Sequence, residues 1–136
     1  MQRDQRSLPP STSHAKGPEI ELEQPLRVER YGFVTDTGGA GAQRGCLAIV
    51  RELTFLEVEG HLQIRSDRRL HLPYGLHGGA PGTPSSNILN PAGEAKVLPT
   101  HITCAVKQND VIRHVTAGGG GFGDPLERDP VLVLED

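Results

Sequence analysis

Apolar residues recur at every second position in several stretches of this chain, the period of strands that turn one face to a core. The first stretch begins at Pro25, where Leu26 and Val28 alternate with Arg27 and Glu29. Tyr31-Gly32-Phe33 then runs into the turn-rich cluster Thr37-Gly38-Gly39-Ala40-Gly41. The next spans Cys46 to Val58: Leu47, Ile49, Leu53 and Phe55 share one parity, and Val50, Glu52 and Thr54 share the other. Its β-branched residues favour a long strand over a helix. Glu59-Gly60 reads as a turn before His61-Leu62-Gln63-Ile64-Arg65, so these two runs predict a hairpin. Alternation returns at Ile102, Cys104 and Val106. It resumes beyond the turn-forming Gln108-Asn109-Asp110 through Val111, Arg113 and Val115, which predicts a second hairpin.

From about Ser66 to Thr100 breakers crowd the chain: Pro73, Gly75, Gly78, Gly79, Pro81, Gly82, Pro84, Pro91, Gly93 and Pro99. Regular structure is expected to be sparse there, and a loop of this length is expected to be functional or ordered by contact with something else. The run Gly118-Gly119-Gly120-Gly121-Phe122-Gly123 precedes Asp124-Pro125 and Asp129-Pro130. Asp followed by Pro suits an N-cap with Pro at the first helical position, so a short helical turn is expected at each. The second, over Val131-Leu132-Val133-Leu134, reads as cut short at Asp136. Residues 1–18 are rich in Ser, Pro, Gln and charge without a hydrophobic period, as expected of a disordered leader before a folded segment over 19–136. The fold class expected is mainly β: antiparallel hairpins, long Gly/Pro-rich loops and short C-terminal helical turns.

Composition sharpens this picture. A chain of 136 residues has room for one core, yet hydrophobic residues make up 35%, aromatics 4%, Trp is missing, and there are 17 Gly and 11 Pro. A core that thin fits a loop-rich β domain or a piece that leans on a larger protein. The net charge of −3 is scattered and forms no basic stripe, which argues against nucleic acid as a partner. No apolar run is long enough for a membrane span and the N-terminus lacks the apolar stretch of a signal peptide, so a cytoplasmic location is expected. Cys46 and Cys104 form no CxxC and are expected to be free thiols.

Few motifs carry chemistry. Gly118 to Gly123 fits the spacing GxGxxG after a strand, but Pro130 interrupts the helix a dinucleotide site needs, so a turn that lets backbones approach closely is the better reading. Gly38 to Gly45 lacks the Gly-Lys-Ser/Thr of a phosphate loop. Of the histidines at 14, 61, 71, 77, 101 and 114, only His71 and His77 share a loop, near Asp67, and no metal site is expected. Ser85-Ser86 lies in no nucleophile elbow. Cys46, beside Arg44, is expected to be partly buried at a strand start. Asp36, Arg44, Asp67, Arg68 and Arg69 sit in or beside glycine-rich turns. Arginine there could clamp a carboxylate or phosphate, with Gly38, Gly39, Gly41, Gly78, Gly79 and Gly118 to Gly121 letting backbone N–H groups come near. The commoner arrangement is an Asp–Arg pair that pins loops together.

Four blocks, PLRVERYGF (25–33), TDTGGAGAQRGCLAIVRE (35–52), IRSDRRLHLPYGLHGGAPGTPSSNILNP (64–91) and TAGGGGFGDPLERDP (116–130), resemble in order the C-terminal part of the hydantoinase B/oxoprolinase family. Its members include subunits of N-methylhydantoinase and of ketone carboxylases and one half of fused 5-oxoprolinases. Thr37 stands where the family usually has Ser, and Cys46 where it usually has a second Gly, which questions close packing at Cys46. The resemblance implies a fragment of a larger α+β subunit that opens a small cyclic amide, a lactam or hydantoin, in an ATP-dependent reaction. It also implies a divalent metal and a hydantoinase A-type partner subunit or domain, with the nucleotide mainly on the partner and neither cofactor bound by this chain alone. Catalytic roles are assigned to no residue here; Arg44 or Arg68 is the expected anion clamp, oriented by Asp36 and Asp67. Besides an enzyme segment inactive alone, a free-standing β-rich interaction module or remnant that docks to the A-type partner remains an open reading.

Overall fold

The computed structural model describes residues 17–136. The leader expected over 1–18 lies outside the described residues except for Gly17 and Pro18, which begin helix α1 (Gly17–Glu23). The alternating stretches become β1 (Leu26–Val34), β2 (Ala48–Phe55) and β3 (Glu59–Arg65). Two short strands, β4 (Ser86–Leu89) and β5 (Lys96–Val97), emerge inside the Gly/Pro-rich stretch, followed by β6 (His101–Lys107) and β7 (Val111–Val115). Both Asp-Pro expectations hold. Asp124 accepts from the Leu126 N–H to cap a 3₁₀ turn, Pro125–Glu127, and Asp129 accepts from Val131 to cap α2 (Pro130–Glu135). The fold is mainly antiparallel β.

The pairing differs from the two expected hairpins. β2 pairs with β7 in a five-stranded sheet of order β1-β2-β7-β4-β5, while β3 pairs with β6 in a separate two-stranded sheet. Residues that read as hairpin turns are instead the corner of one bent ribbon. Asn109 N–H donates to the Phe55 carbonyl, Phe55 N–H to Asp110, and Gln108 N–H to Val58, so the pairing carries on through the bend. The register runs Thr54↔Val111 before the bend and Glu59↔Lys107 after it, one residue more on the β2–β3 side. An extra residue on one strand is a bulge, which turns a ribbon from one sheet into another. Asp110 fastens the corner: its carboxylate accepts from Lys107 N–H (2.9 Å) and Asn90 Nδ2 (3.0 Å), and Asn90 Oδ1 accepts from Val111 N–H (2.8 Å).

The apolar core is small. Among the described residues the buried hydrophobic side chains are Ala48, Val50, Leu98 and Val106, and buried polar side chains, Thr54, Asn87 and Asp110 among them, share the interior. A second core is built of glycine. Residues 118–123 run between two other segments, and their hydrogen bonds repeat every third residue. Gly118 and Gly121 N–H reach the Thr83 and Ala80 carbonyls, Gly119 and Phe122 reach Cys46 and Gln43, and Gly123 reaches Leu76. Three residues per turn with every bond directed to a neighbour is the habit of polyproline-II-like chains. Side chains would destroy it: a Cβ on Gly118, Gly120 or Gly121 would collide with the carbonyl oxygen of Thr37, Tyr74 or Ala40, respectively.

Thr37 joins this core to the sheet. Its hydroxyl donates to the Val34 carbonyl (2.6 Å) and accepts from Ala48 N–H (2.7 Å), closing the β1–β2 connection, a task the hydroxyl of Ser or Thr performs alike. Cys46 is exposed and lies outside β2, contrary to the partial burial expected of a strand start, because the strand begins two residues later. Its backbone packs closely all the same, with Gly119 N–H donating to its carbonyl at 2.8 Å. Both cysteines are free.

Candidate functional site

The expected charged residues divide into two places. Arg44, one-fifth exposed, meets Asp36 at 3.8 Å and the Asp136 carboxylate at 3.2 Å. Arg128 completes the group: it holds Asp136 at 3.1 Å and donates to the Ala42 carbonyl at 3.2 Å. Two guanidinium groups thus grip one carboxylate at the end of the glycine core, each through a single terminal nitrogen. Asp36 is almost wholly exposed and touches the edge of the cluster.

Asp67 and Arg68 stand apart from it. No ion pair joins them to Arg44 or to each other among the described residues, and both side chains are exposed. They act through their backbones. The Asp67 carbonyl accepts from Ser85 Oγ and the Arg68 carbonyl from Ser85 N–H, fixing the chain where it leaves β3 for the glycine segments. Arg68 holds φ at 60° and Asp36 at 58°, left-handed conformations that side-chain-bearing residues rarely adopt and that tend to gather at constrained sites. Arg69 spans inward to the Leu98 carbonyl at 2.6 Å.

A polar chain crosses the interior beside the sheet. His114 Nδ1 lies 2.6 Å from Asn87 Oδ1, and Asn87, fully buried, donates through Nδ2 to Ser66 Oγ at 2.9 Å. An amide between a hydroxyl and an imidazole passes no proton from one to the other, so this trio is a buried tie rather than a nucleophile with its base. His77 packs edge-on against Phe122 with ring centres 4.9 Å apart, and His101 Nδ1 lies beside Thr100 Oγ1 at 3.2 Å. Among the described residues no three His, Cys, Asp or Glu side chains are grouped to hold a metal ion. His14 lies outside the described residues.

The residues present do not fit a nucleotide. A phosphate cradle needs converging backbone N–H groups without partners. Here the N–H groups of Gly39, Gly45, Gly79, Gly82, Gly118, Gly119, Gly121 and Gly123 all donate to carbonyl oxygens. Gly38, Gly41 and Gly120 belong to the same packed segments, where a Cβ at Gly38 would strike Gly45 and one at Gly41 would lie 2.7 Å from Phe122 backbone, whereas Gly78 is exposed and holds a left-handed φ of 90°. Most of these glycines leave space for neighbouring backbone.

The same blocks place the chain among known proteins. Residues 10–125 match the family model for hydantoinase B/oxoprolinase. A protein provisionally named as the B-type subunit of a D-/L-hydantoinase, from Pseudomonas sp. strain NS671, is 34% identical over 121 residues, which cover 87% of this chain and 20% of the relative. The 5-oxoprolinase 1 of Arabidopsis thaliana is 35% identical over 111 residues, 80% of this chain and 9% of its own. Among solved structures, the ATP-dependent caprolactamase from Pseudomonas jessenii superposes with a TM-score of 0.76 at 25% identity over 89% of this chain and 22% of its own. This chain therefore spans about a fifth or less of the length of these proteins. Among the described residues no helix is long and apolar enough to cross a membrane. The matched model covers most of the sequence, and the chain belongs to the hydantoinase B/oxoprolinase family.

Proposed function

We propose that this chain serves as a scaffold segment of a B-type subunit in an ATP-dependent enzyme that opens a small cyclic amide, and that it is inactive alone. The observation that carries this reading is the use to which the family-like blocks are put. Residues 35–52, 64–91 and 116–130 are spent on the glycine core and its ties to the sheet, with few groups left over to react. The ATP-dependent caprolactamase and the 5-oxoprolinase among its relatives support the substrate class, and the B-type designation of the hydantoinase relative supports an A-type partner. Nucleotide and metal belong, in this reading, to the rest of the assembly. Two unpaired cysteines fit a reducing, cytoplasmic setting. Arg44 is already paired with Asp136 and Asp36, so in this scheme it pins the chain as Arg68 and Asp67 hold loops, and it would act as an anion clamp only by giving up that pair.

A graft tests the proposal. The segment of the caprolactamase chain that matches this one is replaced by residues 19–136, and caprolactam-dependent ATP hydrolysis is measured on the purified hybrid. The expected result is an assembled enzyme that still hydrolyses ATP in response to caprolactam. A folded, assembled hybrid without turnover would place essential chemistry in the replaced segment and overturn the scaffold reading.

A further inference from the structure

One side of the glycine core carries a row of large apolar side chains in water. Leu70, Leu72, Tyr74 and Leu76 are 87, 36, 71 and 52% exposed, and Phe122 beside them is 49% exposed. At one end Leu76 and Phe122 are bridged through their backbones and the Phe122 ring meets His77, while Leu70, Leu72 and Tyr74 alternate along the segment that leads to Leu76.

These side chains cannot fold inward. On the inner side of the same stretch a Cβ at Gly75 would strike the Gly79 backbone, and one at Gly79 would strike Gly121. The Tyr74 carbonyl fills the place that a Cβ at Gly120 would need. The backbone beneath is fixed as well, since Leu76 N–H donates to Gly121 (2.9 Å), Gly123 N–H to Leu76 (2.9 Å) and Gly82 N–H to Pro73 (2.9 Å). The core that needs glycine on one side sends every large residue to the other.

Charge stands at the ends of this ledge, at Arg68 and Asp124, and not along it. No Asp, Glu, Lys or Arg occurs from Leu70 to Gly93 or from His114 to Gly123. Tyr, Phe and Leu without charge on rigid backbone is the composition of the centre of a protein interface, and an apolar row of this extent on a soluble chain marks a contact site. It offers nothing to phosphate, so nucleic acid and lipid headgroups are poor occupants.

We infer that the ledge formed by Leu70, Leu72, Tyr74, Leu76 and Phe122 is the surface on which the body of a B-type subunit docks, an inference that rests on the function proposed above. The occupant follows from proportion. This chain matches 20% of the hydantoinase relative and 22% of the caprolactamase chain, so about four-fifths of a B-type body has no counterpart in it. The ledge is the uncharged, pre-formed face to which that body can attach.

The test co-expresses the full chain with the caprolactamase chain shortened by its matching segment, and measures co-purification. The wild-type chain is expected to hold the shortened subunit in solution. Tyr74→Asp, and separately Leu70→Asp, are expected to reduce recovery about tenfold or more, while their thermal unfolding matches the wild type because these two sites are 71 and 87% exposed. Failure of the wild-type chain to associate overturns both the docking surface and the proposed function. Association that survives in both variants leaves the function standing and overturns the ledge. Dimerisation of the wild-type chain, seen by light scattering and lost in the variants, would make the ledge a contact between copies and overturn the inference.

Discussion

Replacing Gly121 by alanine adds one methyl group at a point already occupied by backbone. Its Cβ would overlap the Ala40 carbonyl oxygen and stand 2.6 Å from the Ala40 carbon and 2.7 Å from the Gly39 oxygen. Ordinary contact needs about 3.5–4.0 Å, so the Ala40 segment must retreat by roughly 1 Å. That retreat breaks the bond from Ala80 N–H to Ala40 (2.7 Å) and strains the bonds from Gly39 to Gly119 (2.8 Å) and from Gly121 to Ala80 (2.9 Å). Losing one buried bond costs about 1–3 kcal/mol and overpacking adds about 1–3. The reduced freedom of the unfolded chain returns about 0.4–1 kcal/mol. A net loss of about 1–5 kcal/mol, centred near 3, follows, which for a domain of this size lowers Tm by about 10–15 °C at the centre of that range. Gly32→Ala is the control. It lies in β1 with nothing within 4 Å of the added Cβ and without a left-handed φ, so its Tm should hold or rise slightly. Thermal unfolding followed by circular dichroism reads both. A Gly121→Ala variant within about 2 °C of the wild type would refute the packing argument.

Further outcomes follow from individual contacts. Arg44→Ala should lower the unfolding free energy in urea by about 1 kcal/mol, because its Asp136 pair is partly shielded while its Asp36 pair is in water, whereas Arg68→Ala should stay within about 0.5 kcal/mol. In the grafted caprolactamase, unchanged kinetics in a stable Arg44→Ala variant would remove this residue as an anion clamp. Burial would raise the Asp110 carboxyl, but the hydrogen bonds from Asn90 and the Lys107 N–H, with the Lys107 charge, outweigh it and hold the group below the ordinary carboxylate range. A lowered folded pKa means that its stabilisation is present above the unfolded value near pH 4 and fades as pH falls through the folded one. Asp110→Asn should therefore be less stable at neutral pH and should lack that share of the acid loss below about pH 4, read from Tm against pH. Cys46 is exposed and Cys104 half-buried, so a thiol reagent should modify Cys46 first in the native protein; equal rates would contradict the placement of Cys46 outside β2.

Most of the strands were legible because alternation is a local property. Leu26–Val34, Ala48–Phe55, His101–Lys107 and Val111–Val115 each carry it, and the Asp-Pro pairs marked both C-terminal helical turns. Partners were not legible. Glu59-Gly60 and Gln108-Asn109-Asp110 announce a change of direction, but a hairpin turn and a sheet corner use the same residues, and the surplus residue that makes the corner shows only when two distant strands are laid side by side. β4 and β5 escaped notice because four and two residues are too few to display a period. In the candidate site the Asp36–Arg44 pair could be anticipated from their shared glycine loop. Arg128 and Asp136 could not, because no local pattern tells an arginine in the last turns which loop it will meet. The close backbone approach at Gly118 to Gly123 was legible from the glycines, but which segments they would approach was not, because those partners lie about 35 to 80 residues away in sequence.

That packing also sets the order of events in folding. The three segments of the glycine core come from around residues 37–46, 74–83 and 118–123, and the last lies at the centre with the other two bonded to it. Glycine forfeits more backbone freedom than any other residue when it is fixed, and the first two segments, joined to each other by the Ala80 to Ala40 and Thr83 to Thr37 bonds, gain the rest of their partners only when the third arrives. During synthesis the earlier segments lack these central partners until residues 118–123 have emerged. Contacts so distant along the chain make for slow folding, and the final glycine run supplies the central segment that completes the core.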